Sequence, residues 1–483
     1  MNNFVQKEGL SHYDIVSCHL FQCQIMFWQG KVKELIKHAE HTYKISEGLE
    51  NNLFTVDSLL FMTLGLVLLD RLDEAFNLIK QGEELVKSPP QKLSTAYKQR
   101  KAFLAFIKGY FYYRKSDVDL ALEHLEYSLE VREELGNKHE IAESLSMIAY
   151  CLGASKGELD NALKYAERGV TLAKESTKKY YIAYSLSMIA TLYYLYGDLD
   201  RCVIHNEQSL VIFKELNNKL CMAYVLNNLS WSYRMRGEID RALECIVLAL
   251  ALNQEVGRLT SVAYNHDFLI RILIEMGDLE RAQQYLRDME KLKNRLNDKN
   301  VNLWYLFDKA LILKNSPQAR DRSKAEDLFR HFLEDKDLNY DFAINQLLNL
   351  CEILIIKLSN TGNLKVLDEI LSYVDKTLDI AKKSHSYWLL AETYFLQAQL
   401  ELLTLNLNKA KELLVKAQQI AEEYRLNQLT ERVSIEQDKL LNQTNKWASL
   451  KRSTETIVEL SNLTPLKEQI QYMLKKRQIL KNF

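Results

Sequence analysis

A chain of 483 residues that is 47% hydrophobic and 26% charged can bury a large core, which excludes an intrinsically disordered protein. Its 63 basic residues nearly cancel 64 acidic ones, so no global field draws it to nucleic acid or an anionic membrane. Only four prolines and 15 glycines punctuate it, so helix can run almost unbroken.

The opening residues, MNNFVQKEGLSHYD, lack a basic stretch followed by an apolar core, and the longest apolar run, LLFMTLGLVLLD (59–70), is too short for a bilayer. Neither a secretory signal nor a membrane span is expected. Seven cysteines (18, 23, 151, 202, 221, 245 and 351) without a C-x-x-C pair fit free buried thiols in a reducing compartment. The reading at this point is a cytoplasmic, all-helical protein.

A short phrase recurs along the chain: GKVKELI (30), DRLDEAF (70), SDVDLAL (116), GELDNAL (157), GDLDRCV (197), GEIDRAL (237), GDLERAQ (277), RDRSKAE (320), GNLKVLD (362) and LNLNKAK (405). The spacings are 40 to 46 residues, and the central ones are all 40. In the best copies a glycine ends one helix, an Asp or Glu favours the start of the next, and a small residue (Ala162, Cys202, Ala242, Ala282) permits close helix approach. Each unit is predicted as helix, tight turn, helix. The helix before each phrase carries one apolar stripe, for example Leu226, Leu229, Ser230 and Tyr233, or Leu186, Ile189, Ala190 and Tyr193. One hairpin cannot bury such a stripe alone, so the units must stack. Two of these helices are near copies, IAESLSMIA (141–149) and IAYSLSMIA (182–190), exchanging only Glu143 for Tyr184. They lie 41 residues apart while the following glycines lie 40 apart, which places one extra residue in the turn GASKG (153–157).

The spacing of 46 holds KSPPQ (87–91), and the step from 277 to 320 holds KNSPQARDRS (314–323); both are softer points of the array. The array is predicted over 1–440. A C-terminal helical cap over 441–483 ends in TPLKEQIQYMLKKRQILKNF (464–483), with Thr464 as N-cap and Pro465 in the first turn. That last helix is basic and amphipathic, suited to capping the array or to touching an acidic partner or membrane surface.

The order W-x2-L-G-x2-Y…A-x3-F is the tetratricopeptide repeat signature. LNNLSWSY (226–233) followed by Ala242 and Ile246 resembles it, with Leu226 at the Trp position and Ser230 at the Gly position. Leu186, Ile189, Ala190 and Tyr193 match similarly, as do Leu269, Leu273, Ala282 and Leu286, although His266 takes the Trp position there. The closing proline is absent from the central units and the period is 40 rather than 34. In this the chain resembles the long-helix repeats of spindle-orientation adaptors, kinesin light chains and peptide-sensing bacterial regulators, over roughly residues 10–425. The resemblance implies an all-α, right-handed α-solenoid of about ten tetratricopeptide-like hairpins with a capping helix.

No phosphate loop, zinc ribbon or nucleophile elbow is present. HLFQC (19–23) and CVIH (202–205) have metal-compatible spacing but no second pair, so no metal, no cofactor and no enzyme activity are expected. Opposite the buried stripe, Tyr184, Met188, Thr191 and Tyr194 in the fifth unit correspond to Tyr224, Asn227, Asn228, Trp231 and Arg234 in the sixth, and to Tyr264, Asp267 and Arg271 in the seventh. In tetratricopeptide proteins these positions line the concave groove. Asparagine suits a peptide backbone, and Tyr, Trp and Arg dominate binding hot spots. The tyrosine column equally suits packing between repeats. The carboxylate clamp of chaperone co-factors is not expected, because Asn227 and Thr191 stand where parts of its set belong.

The resemblance implies a non-enzymatic scaffold or adaptor that binds a peptide segment or partner helix of another protein in its groove. A peptide-responsive sensor that gates a target protein is the alternative. Family sensors often begin with a helix-turn-helix or a bundle, whereas the first repeat here is expected from about residue 11, which favours the adaptor.

Overall fold

The computed structural model describes residues 11–47, 49, 52–87, 94–334, 340–404 and 406–452. Among them there is no strand, and the helices follow one another as hairpins. The first are α1 (His12–Trp28) with α2 (Val32–Ser46), α3 (Leu53–Leu68) with α4 (Leu72–Val86), and α5 (Ser94–Arg114) with α6 (Val118–Leu135). The central ones are α7 (Lys138–Tyr150) with α8 (Leu159–Ser176), α9 (Lys179–Tyr196) with α10 (Leu199–Glu215), and α11 (Lys219–Met235) with α12 (Ile239–Val256). Then come α13 (Leu259–Glu275) with α14 (Leu279–Leu296), α15 (Lys299–Lys314) with α16 (Ala319–Glu334), and α17 (Tyr340–Thr361) with α18 (Leu364–Ser384). Last are α19 (Tyr387–Leu403) with α20 (Leu407–Glu423), and α21 (Asn427–Arg452). The fold is a tetratricopeptide-like α-solenoid.

The recurring phrase does what its residues dictate. Gly197 ends α9 at φ 100°, a left-handed position. Asp198 then caps α10 by accepting from the Arg201 N–H at 3.0 Å. Asp117 and Asp278 cap in the same way, whereas Glu158 and Glu238 at the same place make no cap bond, their longer side chains not folding back. Ala162, Cys202, Ala242 and Ala282 are all fully buried, and Ser230 donates to the Ala242 carbonyl at 2.6 Å across the hairpin. The extra residue of the fourth unit lies elsewhere than in the interhelical turn. It widens the end of α7 into a π-helical turn over Cys151–Ser155, a ring that takes one more residue than an α-turn.

The chain divides into two compact units, Met1–Arg234 with Glu238–Gln346, and Met235–Gly237 with Leu347–Phe483. In the first, the solenoid coils back on itself. Asn218 at the start of α11 donates to the Trp28 carbonyl at 2.9 Å, a separation of 190 residues, and Thr260 and Arg258 reach Asp70 across 190 and 188 residues. Phe27 and Tyr180 add an aromatic contact at 4.9 Å. One turn of the coil therefore takes a little under five units, and its seam is closed by polar contacts.

In the second unit the period of 40 is visible as an ion-pair line. Arg432 on α21 meets Glu392 on α19 at 2.7 Å and Glu352 on α17 at 3.2 Å. Residues 427–452 form one helix through position 440, while the basic helix expected over 464–483 and residues 88–91 of KSPPQ lie outside the described residues.

Phe342–Thr361 is, among the described residues, a stretch long and apolar enough to cross a membrane by length and composition, and 56% of it is buried in the protein. It is not an unbroken apolar run, since Asn345, Glu352 and Lys357 interrupt it. One expectation needs correction. The seven cysteines are all free, but only Cys23, Cys151, Cys202 and Cys351 are buried; Cys221 and Cys245 are half-buried and Cys18 is exposed.

Candidate ligand cavity

The bore of the first unit holds a cavity of about 350 Å³ lined by the first helices of successive hairpins. Eleven of the twelve predicted groove residues line it: Tyr184, Met188, Thr191, Tyr194, Tyr224, Asn227, Asn228, Trp231, Tyr264, Asp267 and Arg271. Arg234 does not. It turns to Glu275, donating from Nε at 2.8 Å, and flanks the Trp231 ring at 5.5 Å.

The tyrosine column lines the cavity and packs between repeats at once. Tyr224 Oη lies 2.9 Å from Thr191 Oγ1 of the preceding unit, and Asn228 donates to the same oxygen at 3.0 Å. One unit on, Trp231 Nε1 donates to Tyr264 Oη at 2.8 Å. Tyr184 reaches Met147 Sδ at 3.6 Å. Burial pushes the phenols of Tyr184 and Tyr224 well above their ordinary range, so both stay neutral hydrogen-bonding groups. Trp231 is the centre of this wall, 3.9 Å from the Phe268 ring and 5.2 Å from the Arg271 guanidinium. A second ladder runs behind it, Asn253 donating to Asn265 at 2.8 Å and Asn265 to Asn227 at 2.6 Å.

Charge at the wall is arranged in small groups. Arg271 donates twice to Asp267 Oδ1, at 2.7 and 3.0 Å. Asp267 Oδ2 and both oxygens of fully buried Asp308 find no donor among the other described groups. A proton on Asp308 supplies the missing donor, and burial together with the neighbouring Asp267 holds that carboxyl well above the usual range. At the other side Glu143 meets Arg132 at 3.2 Å, and burial pushes the Glu143 carboxyl up to about 7 against the pull of the arginine.

Glu143, exchanged for Tyr184 between the two nonapeptides, lines the cavity at the same place in its repeat. Four residues outside the predicted set line it too, Tyr110, Arg114 and Tyr150 from the earlier units and Arg258 just before α13. Tyr150 had a legible signal, since it follows the repeated nonapeptide directly. Arg258 had none, because its partner Asp70 is distant in sequence. Among the described residues no group of three or more His, Cys, Asp or Glu is arranged to hold a metal ion.

No family model matches the chain, and no curated protein matches it in sequence. Solved structures do match in fold. A Rap protein complexed with competence and sporulation factor aligns at 13% identity with a TM-score of 0.52, covering 83% of this chain and 99% of that one. The apo quorum sensor NprR from B. thuringiensis aligns at 13% with a TM-score of 0.49, over 76% and 99%. Aspartyl phosphate phosphatase F from Bacillus subtilis aligns at 13% with a TM-score of 0.47, over 77% and 96%. At these identities the likeness is one of fold.

Proposed function

We propose that the chain is a non-enzymatic, cytoplasmic protein-interaction module that takes a short extended peptide segment in the bore of its first unit. The observation that carries this reading is the chemistry of the wall. Asn227, Asn228 and Thr191 offer amide and hydroxyl groups to a peptide backbone, while Tyr194, Trp231 and Trp304 supply rigid aromatic surface beside them.

The sensor reading draws support from a separate observation. The groups that face the cavity also make the bonds between repeats, so an occupant of the bore acts on repeat-to-repeat geometry. That a similar fold was solved in complex with competence and sporulation factor agrees with a ligand-responsive array.

The test is affinity selection of randomised hexapeptides on the immobilised full-length protein, compared with an Asn228→Ala/Trp231→Phe variant. Selection of a common sequence class by the wild type and its loss in a folded variant is the expected outcome. Retention of no peptide by the wild type sinks the reading. Scattering curves of the selected complex then separate an adaptor, which keeps its shape, from a sensor, which compacts.

A further inference from the structure

Where the coil closes on itself, two arginines share one carboxylate. Arg114 at the end of α5 meets Asp70 Oδ1 at 2.5 Å, and Arg258 at the start of α13 meets Asp70 Oδ2 at 3.4 Å. Thr260 also donates to Asp70, and Tyr110 hydrogen-bonds Arg258. The three charged side chains are 22%, 12% and 10% exposed for Arg114, Arg258 and Asp70. Both oxygens of Asp70 are thus engaged, and the group keeps one positive charge in a nearly buried place. A lone buried charge is strongly disfavoured unless an opposite charge joins it. The two guanidinium forks carry about ten N–H donors, far more than Asp70 and Tyr110 can accept from. Arg114 and Arg258 both line the cavity, whereas Arg271, the other cation of its wall, is already matched by Asp267. Arg258 further stands at the N-terminus of α13, the positive end of a helix.

We propose that Arg114 and Arg258 form a carboxylate seat on the cavity wall that receives a carboxylate of the bound peptide, and that its occupancy ties α5 to α13 across the seam of the coil. The inference rests on the peptide reading above. A carboxylate suits the site because a guanidinium fork binds its two oxygens in parallel, which a point-like anion does not exploit. The carboxylate comes from the peptide C-terminus or from an Asp or Glu side chain.

Three hexapeptide pools offered to the immobilised full-length protein test this: free acids, C-terminal amides, and C-terminal amides made without Asp or Glu. The expected result is retention of the first pool and at least tenfold weaker retention of the third. Retention of the second at the level of the first assigns the seat to a side-chain carboxylate, and its loss assigns it to the C-terminus. Arg114→Gln/Arg258→Gln should lower the free-acid pool to the level of the third. Equal retention of the first and third pools by the wild type overturns the seat while leaving the peptide reading standing. Retention of none by the wild type overturns both. The pool comparison uses the unaltered protein, so a variant that fails to fold does not mask the answer.

Discussion

Trp231 and Tyr264 join two successive repeats through one bond, the indole Nε1 donating to the phenol oxygen at 2.8 Å. The indole is 8% exposed and sits between the rings of Tyr194 and Phe268, so its N–H is sheltered from bulk solvent. Tyr264→Phe removes the acceptor and keeps the ring, leaving a sheltered donor unmade at a cost of about 1–3 kcal/mol. Amides of α11 and α13 should then exchange roughly tenfold faster, local opening being the sensitive measure in a repeat protein. Trp231→Phe in the same chain should recover part of that loss, since it removes the stranded donor as well. Exchange in Tyr264→Phe indistinguishable from the wild type argues that this bond does not couple the repeats.

Asp267 and Asp308 predict an asymmetry between two chemically similar substitutions. Burial and the neighbouring Asp267 hold the Asp308 carboxyl well above its usual range, and a protonated Asp308 is a donor to Asp267, a role that the amide of asparagine reproduces. Asp308→Asn should therefore change the thermal midpoint little, by less than about 1 kcal/mol in stability. Asp267→Asn strips the carboxylate from Arg271, whose side chain is 9% exposed, and leaves a buried cation short of its counter-charge. That loss should amount to about 3–5 kcal/mol. Denaturation of the two variants side by side decides it, and equal effects would show that the proton is not on Asp308.

How much of this was legible beforehand follows the range of the interactions. Ala162, Ala242 and Tyr193 announce the hairpin because each acts on residues within its own unit or the next, at a fixed spacing that the sequence repeats. The column of Tyr184, Tyr224 and Tyr264 was legible for the same reason. Its choice between groove and packing was not, and the structure gives both, because a long side chain with a polar tip can bridge two units while its ring faces the bore. The seam was illegible. Asp70, Arg114 and Arg258 meet through the pitch of the coil, which sums small rotations over several units and leaves no periodic trace. The π-turn over Cys151–Ser155 was half legible: the count revealed an extra residue, and helical hydrogen bonding rather than turn chemistry absorbed it.

Glu143 gives the first unit a dependence on pH. The native carboxyl holds its proton up to about pH 7 because burial outweighs the attraction of Arg132, while an ordinary glutamic acid releases it near 4.5. Between those values the native state binds more protons than the unfolded chain, so this group makes stability fall as pH rises from about 4.5 to 7 and leaves it level outside that window. The span corresponds to at most about 3 kcal/mol. Glu143→Gln keeps an acceptor for Arg132 and cannot titrate. Melting curves taken from pH 4.5 to 7.5 should converge at low pH and diverge in favour of the variant as pH rises. Parallel profiles would mean that Glu143 is ionised throughout.

Gly30 and Gly136 separate the cost of a left-handed backbone from the cost of opening the seam. Both have positive φ, 63° and 70°, so an alanine at either pays for the conformation, about 1 kcal/mol. At Gly136 an added Cβ meets nothing within 4 Å, whereas at Gly30 it overlaps the Asn218 side chain and comes within 3.3 Å of Leu220. Asn218 is the residue that bonds the Trp28 carbonyl and, through Oδ1, the Cys221 N–H at 2.9 Å, so displacing it loosens the start of α11. Cys221 reports on this directly. Burial pushes its thiol up to about 12, which makes it slow to alkylate while the seam is shut. In a chain carrying Cys18→Ser, which removes the exposed thiol, Gly30→Ala should raise the rate of Cys221 alkylation several-fold, and Gly136→Ala should leave it unchanged. Equal rates in the two variants would show that the close approach at Gly30 does not hold the coil closed.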